Sequence, residues 1–385
     1  MSEIKPVNVL YFTNTLSAYS ETFIHRVIEL FRRDKAINLH ILTSNKTDSP
    51  AGDILFSGWN KFSLFERIQI KLYSKFSSRR HALIKFMAKK MRAIDVPFDL
   101  AWVDFGVNAT LLYPYINKLG KKVICHVHGY DASKSLSNQA YTKELVAFSK
   151  TNYIIAPSHH LKRRLEIVGC SPDNIFVIPY SVSPNVIPKD WERTSKVQSK
   201  RLLFVGRFVE KKSPQSLIFM LEKVIKHFPD THLIMCGEGP LMPRVKQLVK
   251  EKKLEDNVEL KGKTTHDQVF EEMRLADIYV QHSVTSFTGD QEGFPNSLAE
   301  SAAHALPIIS TIHSGITEIV EHGKTGFLVQ EHDYQSMAVY VTKLLKDPTL
   351  TAQMGKMSRS RILKMTNEKQ RLEVIKRIMN FENQR

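Results

Sequence analysis

At 385 residues the chain has room for two domains of ordinary size or one large one. With 42% hydrophobic and 24% charged residues it lacks the signature of a disordered chain, and no apolar run is long enough to mark a membrane span. Its 55 Lys and Arg against 39 Asp and Glu give a formal charge of +16, which implies an anionic partner.

The opening residues run straight into an apolar strand, without the basic, apolar and small-residue segments of a secretion signal. VNVLYFTN (7–14) reads as a strand, ETFIHRVIELF as a helix and NLHILTS (38–44) as a second strand. Residues 61–92 follow, with ten Lys and Arg against one acidic residue, Glu66, interleaved with Phe62, Phe65, Tyr73, Phe76 and Phe86. A helix of this kind suits an anionic bilayer surface, with Lys71, Lys75, Arg79, Arg80, Lys85, Lys89 and Lys90 facing the headgroups, although its apolar positions can equally pack on a core. No nucleic-acid-binding module accompanies the charge, so nucleic acid is not the expected partner.

Further strands are predicted at 100–105, 123–129, 153–158 and 175–181, mostly separated by helices, which argues for a parallel sheet covered on both faces. Residues 181–200, polar and with Pro184 and Pro188, read as a linker. Six more strands are expected at 201–208, 232–237, 258–262, 277–283, 306–311 and 326–330, and two helices close the chain. The expected organisation is an N-terminal Rossmann-like domain over 1–182 and a second over 183–367, with a tail helix over 368–385 packing back on the first. The fold class is α/β, and ligands of such sheets lie in a cleft beyond the carboxyl ends of the strands.

The most informative stretch is EGFPNSLAE (292–300). Pro295 suits the first turn of a helix, which places Glu292 in the preceding loop and Glu300 about five residues, roughly 7–8 Å, into the helix. Two carboxylates so separated reach different parts of one ligand. Free amides at a helix start favour phosphate, and an acidic residue inside can accept ribose hydroxyls. VGRFVEKKS puts Gly206 and Arg207 at a strand end and Lys211 and Lys212 in the next loop, where cations can clamp a diphosphate.

In HVHGYDAS, alternation along a strand puts His126 and His128 on one face. His128, near Asp131, can position a substrate hydroxyl or shuttle a proton, whereas a metal site would need a third ligand that the sequence does not reveal. CGEGPL suggests a glycine turn at Gly237, but Met242 breaks the dinucleotide fingerprint and Glu318 breaks a phosphate loop at GKT (323–325). No D-x-D, H-E-x-x-H or Cys/His ligand pattern is present, so neither a metal nor a cofactor is expected. Cys125, Cys170 and Cys236 are widely spaced and read as buried free thiols of a reducing cytoplasm.

Together VGRFVEKKS, CGEGPL, EGFPNSLAESAAHALPIIST, HSGITEIVEHGKTGFLV, SETFI, HVHGYD and APSHHLKRRL resemble the retaining glycosyltransferases of family 4, which have the GT-B fold of two facing Rossmann-like domains. SETFI, HVHGYD and SVTSFTGDQEGFPNSLAES look like bacterial enzymes that extend capsules, exopolysaccharides or lipopolysaccharide. The resemblance implies metal-independent transfer of a sugar from a nucleotide sugar, with retained anomeric configuration. It assigns Arg207 and Lys212 to the donor diphosphate, Glu292 to the sugar and Glu300 to the ribose. Gly293 and Phe294, with Pro295, Asn296, Gly206 and Gly237, complete the donor side, and His128 lies near the transferred sugar. Ser20, Glu21 and Asp131 are the acceptor-side candidates. The chain departs from the family at NTLSAYSETF, which lacks the usual glycines, and at Ser213, where a glycine is common.

The implied partners are a UDP- or GDP-sugar, a lipid-linked or free saccharide acceptor and the inner face of the cell membrane, with the enzyme in the cytoplasm. A sugar-nucleotide epimerase or phosphorylase on the same fold, and a membrane-binding protein without catalysis, are the rival readings.

Overall fold

Apolar runs of strand length become strands of two parallel sheets. The computed structural model describes residues 6–13, 22–43, 54–57, 63–74, 97–182 and 199–379. The first sheet contains β1 (Val7–Thr13), β2 (Ile37–Thr43), β3 (Ile54–Ser57), β4 (Leu100–Asp104), β5 (Lys122–His126), β6 (Tyr153–Ala156) and β7 (Ile175–Val177), in the order β3-β2-β1-β4-β5-β6-β7. The second contains β8 (Arg201–Val205), β9 (His232–Cys236), β10 (Val258–Gly262), β11 (Ile278–Val280), β12 (Ile308–Thr311) and β13 (Gly326–Val329), in the order β10-β9-β8-β11-β12-β13. Counted from the first strand of each sheet, both begin in the doubly wound order 3-2-1-4-5-6.

Helices on both faces explain why the central strands lack polar alternation: every residue of β4 is buried. The chain divides into two units, one of residues 1–157, 162–178 and 369–385, the other of 158–161 and 179–368. Trp102, Tyr11, Phe31 and Ile41 lie in the core of the first, and Phe204, Phe208, Leu217 and Met235 in that of the second. The helix Glu368–Met379 belongs to the first unit, where it buries Ile375 and Ile378 and pairs Lys376 with Asp34 at 2.8 Å.

β3 is an element that the sequence pattern does not announce; at four residues it is too short to show a period. Several strands also end before the predicted limit, at Asp104, His126, Val205 and Val280, and the residues beyond form the loops that carry polar side chains. The three cysteines are free and buried.

Candidate active site

Strand order reverses between β1 and β4 in the first sheet and between β8 and β11 in the second, the places where open α/β sheets receive ligands. Polar side chains gather at both.

In the second unit, Lys212 lies in the short helical turn Glu210–Lys212 after β8. Its Nζ is 3.2 Å from Glu292 Oε1 and 3.3 Å from the Oε1 of Gln281, just beyond β11. The Tyr279 hydroxyl stands 3.0 Å from Gln281 Oε1 and 2.9 Å from Ser297 Oγ, tying strand end to helix start. The Lys212 and Glu292 side chains are only 12% and 8% exposed. Desolvating two ions costs several kcal/mol each, so this pair is a poor stabilising device and a suitable poised charge. Burial pulls Lys212 below the ordinary lysine range, with Glu292 opposing the shift. Burial alone would raise Glu292, but Lys212 and then Lys211 overcome it and hold the carboxyl below its usual range.

Arg207, at the same strand end, is exposed, and its guanidinium makes no ion pair with a described residue. Lys211 instead pairs with Asp290 at 3.1 Å. Gly206 packs beside Lys212, whose Cε would lie 3.4 Å from an added Cβ. Gly237 has φ +129, and a Cβ there would fall 2.1 Å from the carbonyl oxygen of Gly206. The glycine turn thus lets the loops after β8 and β9 touch backbone to backbone, sealed by Phe208 N–H to Glu238 O and Leu241 N–H to Phe208 O, both 2.9 Å. Ser213 adopts φ 38 and ψ 55, the left-handed region that glycine occupies without strain.

Glu292, Gly293, Phe294 and Pro295 are all buried. They lead into the helix Asn296–Ala303, which has Pro295 at its N-cap and no side chain capping its first amides. Glu300 is the fifth residue of that helix and is buried, so the spacing argument places both carboxylates correctly. Asn296 opens the helix. Gly315 lets a second loop approach, since a Cβ there would meet Gly293 O at 2.1 Å.

In the first unit, parallel register sets Asp104 directly against His126. Buried Asp104 accepts from the Tyr11 hydroxyl at 2.6 Å and lies 3.4 Å from His126 Nδ1 and 3.6 Å from His128 Nε2. Burial alone would raise Asp104, but His126 and His128 hold its carboxyl at about 2, whereas burial pushes His126 down to about 3. The His128 ring sits between Phe23 and Phe105, with centroids at 4.3 and 4.6 Å. Phe105 has φ 69, a conformation unfavourable for an aromatic residue.

Register supplies a residue that the sequence reading did not find: among the described residues, the Asp104 carboxylate and the His126 and His128 imidazoles bring one potential ligand atom each within 4.8 Å of one another, a group that could hold a metal ion. Asp131, one of the acceptor-side candidates, is buried, and its two oxygens accept from the backbone N–H groups of His128 and Gly106. It staples the turn that presents His128. Asp104, Tyr279 and Gln281 carry no motif of their own, and only the paired strand ends bring them into view; Ser297 lies within EGFPNSLAE, but nothing in that motif announces its contact with Tyr279.

Ser20, Glu21, Lys75, Arg79, Arg80, Lys85, Lys89 and Lys90 lie outside the described residues. Lys71 is exposed on the helix Leu64–Tyr73, which starts in a capping box between Ser63 and Glu66. That helix buries Ile70 but leaves Leu64 77%, Phe65 68% and Leu72 52% exposed. No described helix is long and apolar enough to cross a membrane.

With this geometry, two family models fit the chain: Glycosyltransferase Family 4 over residues 20–186 and Glycosyl transferases group 1 over 188–361. The chain thus carries two glycosyltransferase domains, one matched by each model, and its fold is GT-B. It is 31% identical over 236 residues to the putative colanic acid biosynthesis glycosyltransferase WcaL of Salmonella typhimurium, covering 60% of this chain and 57% of that protein. It is 28% identical over 249 residues to the amylovoran biosynthesis glycosyltransferase AmsK of Erwinia amylovora, covering 64% and 61%. The chain thus spans a little over half the length of the curated relatives it matches first. HepE of Anabaena, solved in complex with UDP and glucose, superposes with a TM-score of 0.73 over 97% of this chain and 99% of that one, at 13% identity.

Proposed function

We propose that the chain is a retaining glycosyltransferase that moves a sugar from a nucleoside-diphosphate sugar to a hydroxyl of a lipid-linked saccharide, in bacterial surface-polysaccharide synthesis. The observation that carries the reading is the buried Lys212–Glu292 pair with Gln281 at the β8/β11 switch point, beside exposed Arg207. The colanic acid and amylovoran relatives and the UDP-bound structural neighbour support the polymer class and the donor class.

In this reading Lys212 and Arg207 neutralise the diphosphate as it leaves, the task a metal performs elsewhere, so transfer needs no metal. Glu300 accepts the ribose hydroxyls, Glu292 orients the sugar and His128 orients the hydroxyl side of the reaction. The bond from C1 to the phosphate oxygen breaks while the acceptor oxygen bonds C1 on the same face, and the leaving phosphate takes the acceptor proton. The helix Leu64–Tyr73 rests its exposed apolar row on the cytoplasmic leaflet, and neighbouring basic residues add about 1 kcal/mol each near anionic headgroups.

The test supplies UDP- and GDP-sugars without acceptor and follows the first anomer released by NMR, with and without EDTA. Release of the donor's own anomer, unaffected by EDTA and slowed by Arg207→Ala, is expected. Release of the opposite anomer, or a rate that EDTA abolishes, would overturn the corresponding part of the reading.

A further inference from the structure

His313 and Glu331 belong to none of the roles assigned above. His313 follows β12 and Glu331 follows β13, and the pairing of Thr311 with Val329 brings the two loops side by side. The His313 side chain is buried, with Nδ1 2.6 Å from Glu331 Oε1 and Nε2 3.1 Å from the backbone nitrogen of Glu292. A backbone N–H can only donate, so Nε2 is the bare nitrogen and Nδ1 carries the proton that Glu331 accepts. The partners thereby fix one tautomer.

Glu331 is itself anchored, accepting from the Thr285 backbone N–H at 2.8 Å and lying 3.3 Å from the Thr285 hydroxyl. The next residue, Ser314, donates its hydroxyl to the Glu292 carbonyl. Residues 313 and 314 therefore grip both backbone polar groups of Glu292, whose side chain pairs with Lys212.

We infer that Glu331 and His313 form a positioning pair that fixes the backbone of Glu292, and through it the Lys212 cation, against the donor. The inference rests on the reading of Glu292 as a donor-site residue. Its chemistry is specific: Nε2 must accept from Glu292, and Glu331 must hold the proton on Nδ1. A histidine that merely fills space would carry neither requirement.

The two ring nitrogens can be mimicked separately. In His313→Gln the amide oxygen reaches the position of Nε2 and can accept from Glu292, whereas His313→Asn keeps a donor for Glu331 but is too short to reach Glu292. Hydrogen exchange at the Glu292 amide is measured in the full chain, together with turnover of UDP-glucose, GDP-mannose and ADP-glucose and the urea midpoint. His313→Asn should speed exchange at that amide at least tenfold and lower kcat about 100-fold at unchanged KM. His313→Gln should return both to within a few-fold of the parent at a similar midpoint. Unchanged exchange in His313→Asn, or equal behaviour of the two variants, would overturn the inference. Glu292→Ala separates the premise: if it leaves turnover intact, the donor-site reading fails, while the exchange result still decides whether the pair holds the backbone.

Discussion

Lys212 and Glu292 neutralise each other where water is scarce, so removing either partner does more than remove an attraction. Lys212→Met leaves a buried carboxylate with less compensation and should cost about 3 kcal/mol in urea unfolding. Glu292→Gln, which leaves a neutral acceptor beside the ammonium, should cost less. The sign with pH follows from the depressed Glu292 carboxyl: its contribution is complete above the ordinary carboxylate range, about 4.3, and is lost as pH falls through the folded value. In the first unit, His126 is held at about 3 against about 6.5 when unfolded, and Asp104 at about 2 against about 3.9. Between each pair of values the unfolded chain binds more protons, so stability falls as pH drops below about 6.5. His126→Leu should flatten the denaturation midpoint between pH 6.5 and 4; an unchanged pH slope would contradict this account of the cluster.

Among the elements, the helix Glu368–Met379 belongs by packing to the unit at the other end of the sequence. Ile378 is buried against that core, so Ile378→Ala should cost about 3 kcal/mol and lower only the unfolding transition of the first unit. Gly237→Ala should act on the second, where its Cβ would collide with the Gly206 backbone at an unfavourable φ. These cases show what the sequence can reveal. EGFPNSLAE was readable because loop, proline and helix are contiguous, so spacing converts directly into distance. Asp104 was not, because only strand register brings it to His126, 22 residues on. Gln281 reads as one more strand residue until the strand ends at Val280. The glycines of CGEGPL suggested a ligand turn, whereas their demonstrated demand is the close approach of two loops.

At the scale of the whole molecule, one strand order is used twice, yet the two switch points carry different chemistry. The first holds a carboxylate with two imidazoles; the second holds cations, carboxylates and an uncapped helix start. A nucleoside diphosphate should therefore stabilise the second unit alone, by about 2.7 kcal/mol at a hundred times its Kd. Differential scanning calorimetry reads this as one transition that moves while the other stays.

The central claim is that the second unit grips a nucleoside diphosphate between its basic strand end and Glu300. Calorimetric titration of UDP, GDP and ADP into the full chain and its Glu300→Ala variant tests it most directly. The account predicts that one of the three binds with one-to-one stoichiometry and that Glu300→Ala weakens it about tenfold or more, the loss of hydrogen bonds to a charged group. Equal affinity in both proteins, or binding of none of the three, would contradict it.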